Sequence, residues 1–364
     1  MTPTDGGEWG RRLLVVGTGL IGTSVALAVR ATGGEVFLAD ADSGRLATAV
    51  AAGAGRGHRP GQDGAVDLVV VAVPPARVGQ VILDQLRLMP DAIVTHVSSI
   101  QTLPQREVEA QGGLIDRFVG SHPIAGRELS GPAHASPDLF VERPWVVTPT
   151  AASAARAVDA VVALARACGA RPAILDAVAH DALFARLSHV PQLVASALAA
   201  SIAALSGDDA ALAGTGLRDT TRLADSDPAL WAEIITANAA PVAAGLRAVA
   251  GPLVRLAADL ENGADPGSAV HALLEQGRAG RALLPGKHGG APVEVQLVQV
   301  VVPDQPGTLA RLLGDVAAES VNLEDLRVEH APGQPLGIAE ISVLPAAYDQ
   351  LVDALQRRGW TVTS

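Results

Sequence analysis

Several residue types that often carry chemistry are scarce in this chain of 364 residues. There is one cysteine, Cys168, so an intrachain disulfide and a cysteine-based metal site are both excluded. Such low cysteine usage is typical of a reducing compartment, and we expect a cytoplasmic protein with Cys168 as a core thiol rather than a nucleophile. The single lysine is Lys287, next to glycine and proline, so we expect no Schiff-base chemistry in a folded site.

An excess of basic residues is also missing. The formal net charge is −11, which argues against nucleic acids and anionic membranes as partners. The longest charge-free apolar stretch, "PQLVASALAASIAAL", has about fifteen residues, whereas a membrane-spanning helix needs about 20. We therefore expect neither a nucleic-acid partner nor a membrane partner, and we interpret this stretch as a buried helix.

Short apolar runs alternate with helical patterns in the first part of the chain. The runs "RLLVVG", "EVFLAD", "VDLVVVAVP" and "AIVTHVSS" are rich in valine and isoleucine without polar alternation. Such runs are typical of strands covered on both faces, so the sequence predicts an α/β domain with a doubly wound parallel sheet over residues 1–172. The strand "FVGSHP" follows, and "PWVVTP" is predicted to be one more.

The pattern changes in the second half. Long helical periods rich in alanine predict an all-helical domain over residues 173–285, and small residues that let helices approach closely suit the core of a homodimer. Residues 286–292 are expected to be a linker because they fall in the stretch "LPGKHGGAP". Residues 293–364 read as strand, helix, strand, strand, helix, and this predicts a small α+β domain.

The stretch "GTGLIG" places glycines in the G-x-G-x-x-G arrangement between a predicted strand and a predicted helix. Glycines there permit a tight turn and bring the helix N-terminus close to a pyrophosphate. Asp40 ends the next strand, where its carboxylate would bind ribose hydroxyls and repel a 2′-phosphate, so NAD is preferred over NADP. A turn that binds nothing is the alternative. The predicted cofactor-binding residues are Gly17, Thr18, Gly19, Leu20, Ile21, Gly22, Asp40, Val73, Pro74 and Ser98.

Two further strand ends carry polar side chains. Ser98 and Ser99 end the strand "AIVTHVSS", and His122 ends "FVGSHP" before the turn "IAGREL" that contains Glu128. The carboxyl ends of parallel strands are where such sheets bind ligands, and histidine is the natural base near neutral pH. The alternatives are a helix N-cap for the serines and a solvated surface turn for His122.

Polar residues also gather in the helical part. "HDALFARLSHVPQL" carries His180, Asp181, His189 and Gln192, with a kink expected at Pro191. "RDTTRLADSDPALW" carries Arg222, which suits a carboxylate clamp, together with Trp231 and the predicted N-cap Asp227. The alternatives are core or supporting polar roles for the first group and a structural ion pair for Arg222. No metal-ligand spacing is present, so we expect no metal.

Taken together, "GTGLIGTS", "VSSI", "GSHPIAGRE", "HD…SHVPQ" and "RDTTRLADSDPALWAEI" resemble the prephenate dehydrogenase family, over residues ~12 to ~285. The resemblance implies NAD-dependent oxidative decarboxylation of prephenate to 4-hydroxyphenylpyruvate, a tyrosine precursor. It implies that His122 is the base for the 4-hydroxyl of the substrate and that Ser99 orients His122. Arg222 would bind a substrate carboxylate and pair with Glu128, while His189, Gln192 and Trp231 would line the substrate site.

Other functions stay open at this point. Arogenate dehydrogenase is the nearest one, because Gln192 stands near the substrate side chain where many relatives have a second histidine. A nearby charge is also missing, since Gln101 stands where many relatives have a lysine. A non-catalytic amino-acid sensor on the same scaffold is argued against by the intact glycines, Asp40 and His122. A β-hydroxyacid dehydrogenase generally relies on a lysine in the helical domain, which this chain lacks there.

The last segment resembles an ACT domain, a βαββαβ amino-acid-sensing module, through "VPDQPGTLARLL" and "VNLEDL". The resemblance implies feedback binding of tyrosine and pairing of these domains in the dimer. Pro306, Gly307 and Asn322 are the predicted effector-binding residues. The alternative is a domain of this fold that serves only in assembly.

Overall fold

The computed structural model describes residues 12–126, 129–263, 265–284, 293–330 and 335–363, except for the side chain of His330. The chain forms two compact units. The first comprises Met1–Ala200 and Arg222–Ala248, and the second comprises Ser201–Thr221 and Val249–Ser364.

An eight-stranded sheet forms the centre of the first unit, in the order β3-β2-β1-β4-β5-β6-β7-β8. Its strands are β1 (Arg12–Val16), β2 (Glu35–Ala39), β3 (Arg56–Gly57), β4 (Leu68–Val71), β5 (Ile93–His96), β6 (Phe118–Pro123), β7 (Pro144–Thr148) and β8 (Arg171–Ile174). Helices of this unit are α1 (Leu20–Ala31), α2 (Ser43–Ala51), α3 (Val78–Leu88), α4 (Thr102–Glu109), α5 (Ala155–Ala167), α6 (Ala177–Phe184), α7 (Val190–Ser201) and α10 (Pro228–Ala237).

Each face of this sheet has its own hydrophobic core. Leu13 and Val15 of β1 point into one core, and Leu14 points into the other, as the two-residue period of a strand requires. Every residue of β4 and β5 is buried. The prediction of strands covered on both faces is therefore confirmed for the centre of the sheet.

The prediction of a parallel sheet is wrong at one position, because β7 runs antiparallel to β6. A parallel partner needs a crossover, usually through a helix. The chain between β6 and β7 contains only a short 3₁₀ turn at Pro132–His134 among its described residues. It therefore re-enters the sheet at the edge where β6 ends, and β8 then pairs parallel with β7.

Two predicted helices are interrupted. A π-helical turn, Ala185–His189, joins α6 to α7 directly before Pro191, where the sequence predicts a kink. The pattern that begins at Pro228 breaks at Asn238, which ends α10 and precedes α11 (Ala239–Asn262). Both interruptions fall at polar residues of the site described below, which is a common place for π turns.

Helix α11 is the one helix of the described part that is long and apolar enough, by length and composition, to span a bilayer. Val242 is its one buried residue. The other helices before the C-terminal module are α8 (Gly207–Ala211), α9 (Thr215–Thr221) and α12 (Pro266–Arg281).

The C-terminal module has the predicted order of strands and helices. Its elements are β9 (Gln296–Pro303), α13 (Thr308–Ala318), β10 (Asp325–His330), β11 (Leu336–Val343), α14 (Pro345–Arg357) and β12 (Thr361–Thr363). The strands form an antiparallel sheet in the order β10-β11-β9-β12. Val298, Val300 and Val302 alternate along β9 into a core closed by Trp360. The predicted linker, residues 286–292, lies outside the described residues.

Candidate active site

Several of the predicted site residues lie at one edge of the large sheet. Strands β1, β4, β5 and β6 are parallel neighbours, so they end at the same edge. Gly17, Val73 and Ser98 follow the ends of three of these strands, and His122 lies next to the last residue of β6. The structure therefore brings the glycine loop and His122 to one carboxyl edge, where open α/β sheets bind ligands.

The glycine loop has the shape that a dinucleotide requires. Gly17 has a φ of +99°, and a Cβ there would lie 2.4 Å from the carbonyl oxygen of Ala72. A Cβ on Gly22 would lie 2.0 Å from the carbonyl oxygen of Gly17. A Cβ on Gly19 would meet nothing within 4 Å, and Gly19 starts α1 with no side-chain cap. The free N–H groups of this helix N-terminus thus face an open approach, which suits a phosphate.

Asp40 lies beside this loop, after the end of β2. Its Oδ2 accepts hydrogen bonds from the backbone N–H and the hydroxyl of Thr18, at 2.6 and 2.8 Å. Desolvation opposes ionisation, but N–H donors at Asp42 and Thr18 outweigh it and lower the pKa of Asp40. The carboxylate is therefore charged and fixed next to the loop at neutral pH.

The other predicted cofactor residues frame the same loop. Thr18 is fully buried, and Leu20 and Ile21 are partly buried against the core on one face of the sheet. Val73 packs against the opposite core, and Pro74 is exposed directly after it. Glu233 of α10 accepts a hydrogen bond from the backbone N–H of Ala76 at 3.2 Å, which ties α10 to the segment after β4.

Neither serine after β5 is the N-cap of α4. The carboxylate of Asp181 accepts from the backbone N–H groups of Gln101 and Thr102 at 3.0 and 2.8 Å, and so satisfies the start of this helix. The Ser98 hydroxyl accepts from Ile100. The side chain of Ser99 is partly exposed and forms no hydrogen bond with any described residue, so its hydroxyl is available to a substrate.

His122 belongs to a chain of hydrogen-bonded side chains. Its Nδ1 lies 2.9 Å from Nε2 of His180, whose Nδ1 lies 2.9 Å from Oδ1 of Asp181. The ring of Phe184 stacks on His180 at 4.4 Å and contacts His122 at 5.0 Å between centroids. The reading of His122 as a solvated surface turn is therefore wrong.

The surroundings of His122, His96 and His189 favour neutral rings. Burial lowers the pKa of His122 well below the ordinary value of 6.5, and His180, His96 and His189 lower it further. Burial likewise lowers the pKa of His96 to about 3 and lowers the pKa of His189. His122 is thus an unprotonated imidazole at neutral pH, which is the form a base requires.

His189 lies on the other side of the same cluster. In an unbroken α-helix, residues nine apart lie about half a turn apart, and the extra residue of a π turn takes up about 100° of this separation. The π turn therefore rotates His189 toward the face that carries His180. Asn238 Nδ2 lies 3.1 Å from His189 Nδ1, and the ring of Trp231 meets His189 edge to face at 6.2 Å.

Gln192 connects this group to the segment that carries Arg222. Its buried amide donates to the carbonyl oxygen of Leu223 at 2.7 Å, and its Oε1 faces the Ser226 hydroxyl at 3.5 Å. Arg222 is exposed, one residue before Leu223. Asp227 caps α10 through the Ala229 N–H, as the sequence predicts. Glu128 lies outside the described residues.

Gln101 points into the protein rather than toward a ligand. Its amide donates to the carbonyl oxygens of Ser98 and Ser121, and its Oε1 accepts from the Thr148 hydroxyl at 2.8 Å. A Cβ on Gly120 would lie 2.6 Å from this Oε1. Gln101 therefore holds the ends of β5, β6 and β7 together beneath His122.

The predicted effector residues are only partly together. Pro306 and Gly307 line a cavity of about 410 Å³ in the C-terminal module, with Asp304, Val328 and Gly337 among the other lining residues. A volume of this size falls in the range of small-molecule sites. Asn322 does not line it, and its side chain donates to Glu324 at 2.9 Å.

Two other predictions concern groups without a catalytic role. Cys168 is buried, and burial raises the pKa of its thiol to about 12, so the prediction of a core thiol is confirmed. Among the residues described, no group of three or more histidine, cysteine or carboxylate side chains is arranged to hold a metal.

Sequence reasoning assigned no site role to His180, Asp181 or Asn238, which connect the two halves of the cluster. The available signal was their polarity in helices that are otherwise rich in alanine and leucine. Most of their partners are distant along the chain: His180 contacts His122 58 positions away, Asn238 contacts Asp181 57 positions away, and Asp181 contacts Gln101 80 positions away. Such distant pairings have no local pattern.

Comparison with known proteins gives consistent matches along the chain. Residues 25–174 match the family model for the nucleotide-binding domain of prephenate dehydrogenase, and residues 176–276 match that for its dimerization domain. The chain is 35% identical to the probable prephenate dehydrogenase NovF of Streptomyces niveus, over 97% of this chain and 100% of that protein.

Two solved structures share the fold. Prephenate dehydrogenase from Aquifex aeolicus, in complex with hydroxyphenyl propionate and NAD⁺, matches with a TM-score of 0.67 and 26% identity, over 75% of this chain and 98% of that one. Synechocystis arogenate dehydrogenase matches with a TM-score of 0.63 and 26% identity, over 74% of this chain and 98% of that one.

Proposed function

The chain belongs to the prephenate dehydrogenase family, and we propose that it oxidises and decarboxylates prephenate to 4-hydroxyphenylpyruvate with NAD⁺. The observation that carries this proposal is the partly buried His122, which is hydrogen-bonded to His180 at the same carboxyl edge as the glycine loop. The match to a probable prephenate dehydrogenase over nearly the whole chain supports it.

The residues at the edge fit NAD. Gly17 and Gly22 leave no room for side chains, the start of α1 offers free N–H groups, and Asp40 holds a fixed carboxylate beside them. When bound, NAD⁺ supplies the acceptor for the hydride. We propose that the pyrophosphate and ribose contacts come from residues 17–22 and Asp40. We propose that Val73, Pro74 and Ser98 complete the cofactor site.

His122 and Ser99 act on the 4-hydroxyl of the substrate. As the hydride leaves C4, the neutral imidazole of His122 accepts the hydroxyl proton, and the Ser99 hydroxyl orients that oxygen by a hydrogen bond. The ring carboxylate then leaves as CO₂, and its bonding electrons make the ring aromatic. The proton returns to the phenolate oxygen, so the net products are 4-hydroxyphenylpyruvate, CO₂ and NADH.

The rest of the substrate is anionic, and we propose that Arg222 binds one of its carboxylates, because a guanidinium pairs two oxygens at once. His189, Gln192 and Trp231 line the site beside it. Glu128 is proposed to pair with Arg222.

Turnover with two substrates tests the proposal. The purified protein should form NADH with prephenate. Its kcat/KM for prephenate should be at least about ten-fold above its kcat/KM for arogenate. The kcat/KM for prephenate should also be higher with NAD⁺ than with NADP⁺ as cofactor. Arogenate dehydrogenase is the second candidate, favoured by the likeness to the Synechocystis enzyme. A higher kcat/KM for arogenate would select it, and no NADH with either substrate would contradict both.

For the C-terminal region, we propose an ACT domain over residues 293–364 that binds tyrosine in the cavity lined by Pro306 and Gly307. The βαββαβ order and the cavity beside Pro306 support it. Tyrosine should raise the melting temperature and inhibit turnover of the wild-type protein, whereas Gly307→Val should remove both effects. If tyrosine changes neither the turnover nor the melting temperature, this domain has a role in assembly only.

We propose a cytoplasmic homodimer whose Rossmann domain (1–172) and helical domain (173–285) precede the linker and the ACT domain. The exposed apolar surface of α11 and the match to a dimerization domain support the dimer. Light scattering should give twice the chain mass of 36.9 kDa. A monomer mass would contradict it.

A further inference from the structure

We propose that Asp181 is a positioning residue that fixes which ring nitrogen carries the proton in two histidines of the site. It acts on His122 through His180, and on His189 through Asn238. The two histidines are thereby held in opposite tautomers, one as an acceptor and one as a donor. The inference rests on the proposed function, because it assigns the states in which these rings meet the substrate.

Asp181 is a fixed anion at the centre of the cluster. Burial opposes its ionisation, but hydrogen bonds from His180, Thr102 and Gln101 outweigh burial and lower the pKa of Asp181. The N-terminus of α4 also favours a negative charge at this point. An ionised carboxylate only accepts hydrogen bonds, so every group that contacts it must donate.

The first arm runs from this carboxylate to His122. Since Asp181 Oδ1 lies 2.9 Å from His180 Nδ1, that nitrogen carries the hydrogen. A neutral His180 then has a lone pair on Nε2, which lies 2.9 Å from Nδ1 of His122. His122 must therefore donate from Nδ1 and keep its lone pair on Nε2.

The opposite assignment along this arm requires a protonated His180. Its ring is fully buried and stacked on Phe184. A neutral ring already satisfies both contacts, with Nδ1 donating to Asp181 and Nε2 accepting from His122. This arrangement needs no additional buried proton, and it leaves His122 Nε2 free to accept a proton.

The second arm uses the backbone of Asp181. Its carbonyl oxygen accepts from Asn238 Nδ2 at 2.8 Å, which fixes the orientation of the amide because a carbonyl cannot donate. The second hydrogen on Nδ2 faces His189 Nδ1 at 3.1 Å. That nitrogen must accept, so the ring hydrogen of His189 lies on Nε2.

The opposite tautomers match two different tasks. A ring with a free lone pair suits the proton of a substrate hydroxyl, and a ring with an N–H suits a carboxylate or carbonyl oxygen. Reversing either tautomer would place a donor against a donor or an acceptor against an acceptor. In a serine protease, the wrong tautomer of the catalytic histidine costs about 10⁴ in kcat.

Two substitutions of His180 separate positioning from packing. His180→Gln keeps an oxygen that accepts from His122, whereas His180→Phe keeps the ring stack and removes the acceptor. We expect kcat to fall about 10²-fold or more in His180→Phe and no more than about ten-fold in His180→Gln, with KM for NAD⁺ unchanged in both. A packing role predicts the reverse order, and that order would overturn the proposal.

A measurement on the wild-type protein does not depend on turnover. Nitrogen-15 NMR of histidine-labelled protein distinguishes the two tautomers, with His122→Asn and His189→Asn to assign the signals. We expect the proton on Nδ1 of His122 and on Nε2 of His189. The proposal is overturned if either ring has the other tautomer. If the tautomers are as expected but prephenate gives no NADH, the proposed function fails and the positioning stands.

Discussion

The carboxyl edge of the large sheet and the C-terminal module differ in what they bury. Among the described residues, the buried polar and charged side chains all lie between residues 18 and 238, and the module has none. Burying polar groups costs free energy unless each is paired, and apolar packing alone can stabilise a small sheet. The contrast shows that the first unit keeps paired polar side chains in its interior, His180, Asp181 and His189 among them, while the module is held by its apolar core.

Removing the proposed base is the sharpest way to test this contrast. Asparagine at position 122 keeps hydrogen-bonding capacity but cannot take up a proton, so His122→Asn should lower kcat about 10²- to 10⁴-fold. The dissociation constant for NAD⁺, measured by fluorescence, should not change. His271→Asn is the matched control, because His271 is an exposed histidine of α12 in the second unit. A variant that keeps a tenth of the wild-type kcat would contradict the assignment.

Acid should unfold the two regions differently. His96, His122 and His189 have lowered pKa values in the folded state, and an unfolded histidine titrates near 6.5. Below about pH 6.5 the unfolded chain therefore binds protons that the folded chain does not. The free energy of unfolding of the first unit should fall by up to about 1.4 kcal/mol per pH unit for each histidine.

The described side chains of the C-terminal module include no buried histidine, so its unfolding transition should move little between pH 7 and about 5. Calorimetry at several pH values checks this difference. Equal shifts of the two unfolding transitions with pH would contradict this difference between the first unit and the module.

The apolar core of the module should respond to a cavity rather than to charge. Ile341 is fully buried in β11, and Ile341→Ala should lower the free energy of unfolding of the module by about 2–5 kcal/mol. Ile338→Ala is the matched control, because Ile338 lies on the same strand and is 37% exposed. At temperatures below the unfolding transition of the module, the kcat of Ile341→Ala measured without tyrosine should stay within about two-fold of the wild-type value. A loss of kcat as large as that of His122→Asn would contradict the separation of the two regions, because catalysis would then depend on the core of the module.

The smallest expected effect concerns substrate binding. Arg222→Ala removes charge-assisted hydrogen bonds, worth about 1.5–3 kcal/mol, so KM for prephenate should rise about ten- to a hundred-fold with kcat less affected. Arg218→Ala, four residues earlier and also exposed, should leave KM within about two-fold. An unchanged KM for Arg222→Ala would mean that another group binds the carboxylate.

Whether a feature of this protein can be predicted from its sequence depends on how far apart along the chain the interacting residues lie. The glycine loop, Asp40 and His122 follow from local patterns and from the rule that parallel strands end at one edge. The antiparallel β7 was missed because its strand pattern carries no direction. The capping of α4 by Asp181 joins residues 80 positions apart, and no spacing in the sequence indicates such a contact.

The pH dependence of kcat/KM for prephenate tests the central claim most directly, because its acid limb reports the pKa of the base in the free enzyme. Burial lowers the pKa of His122, so the account predicts an inflection clearly below 6.5, with the basic form active above it. An acid limb at or above 6.5 would contradict a neutral, partly buried His122 as the base.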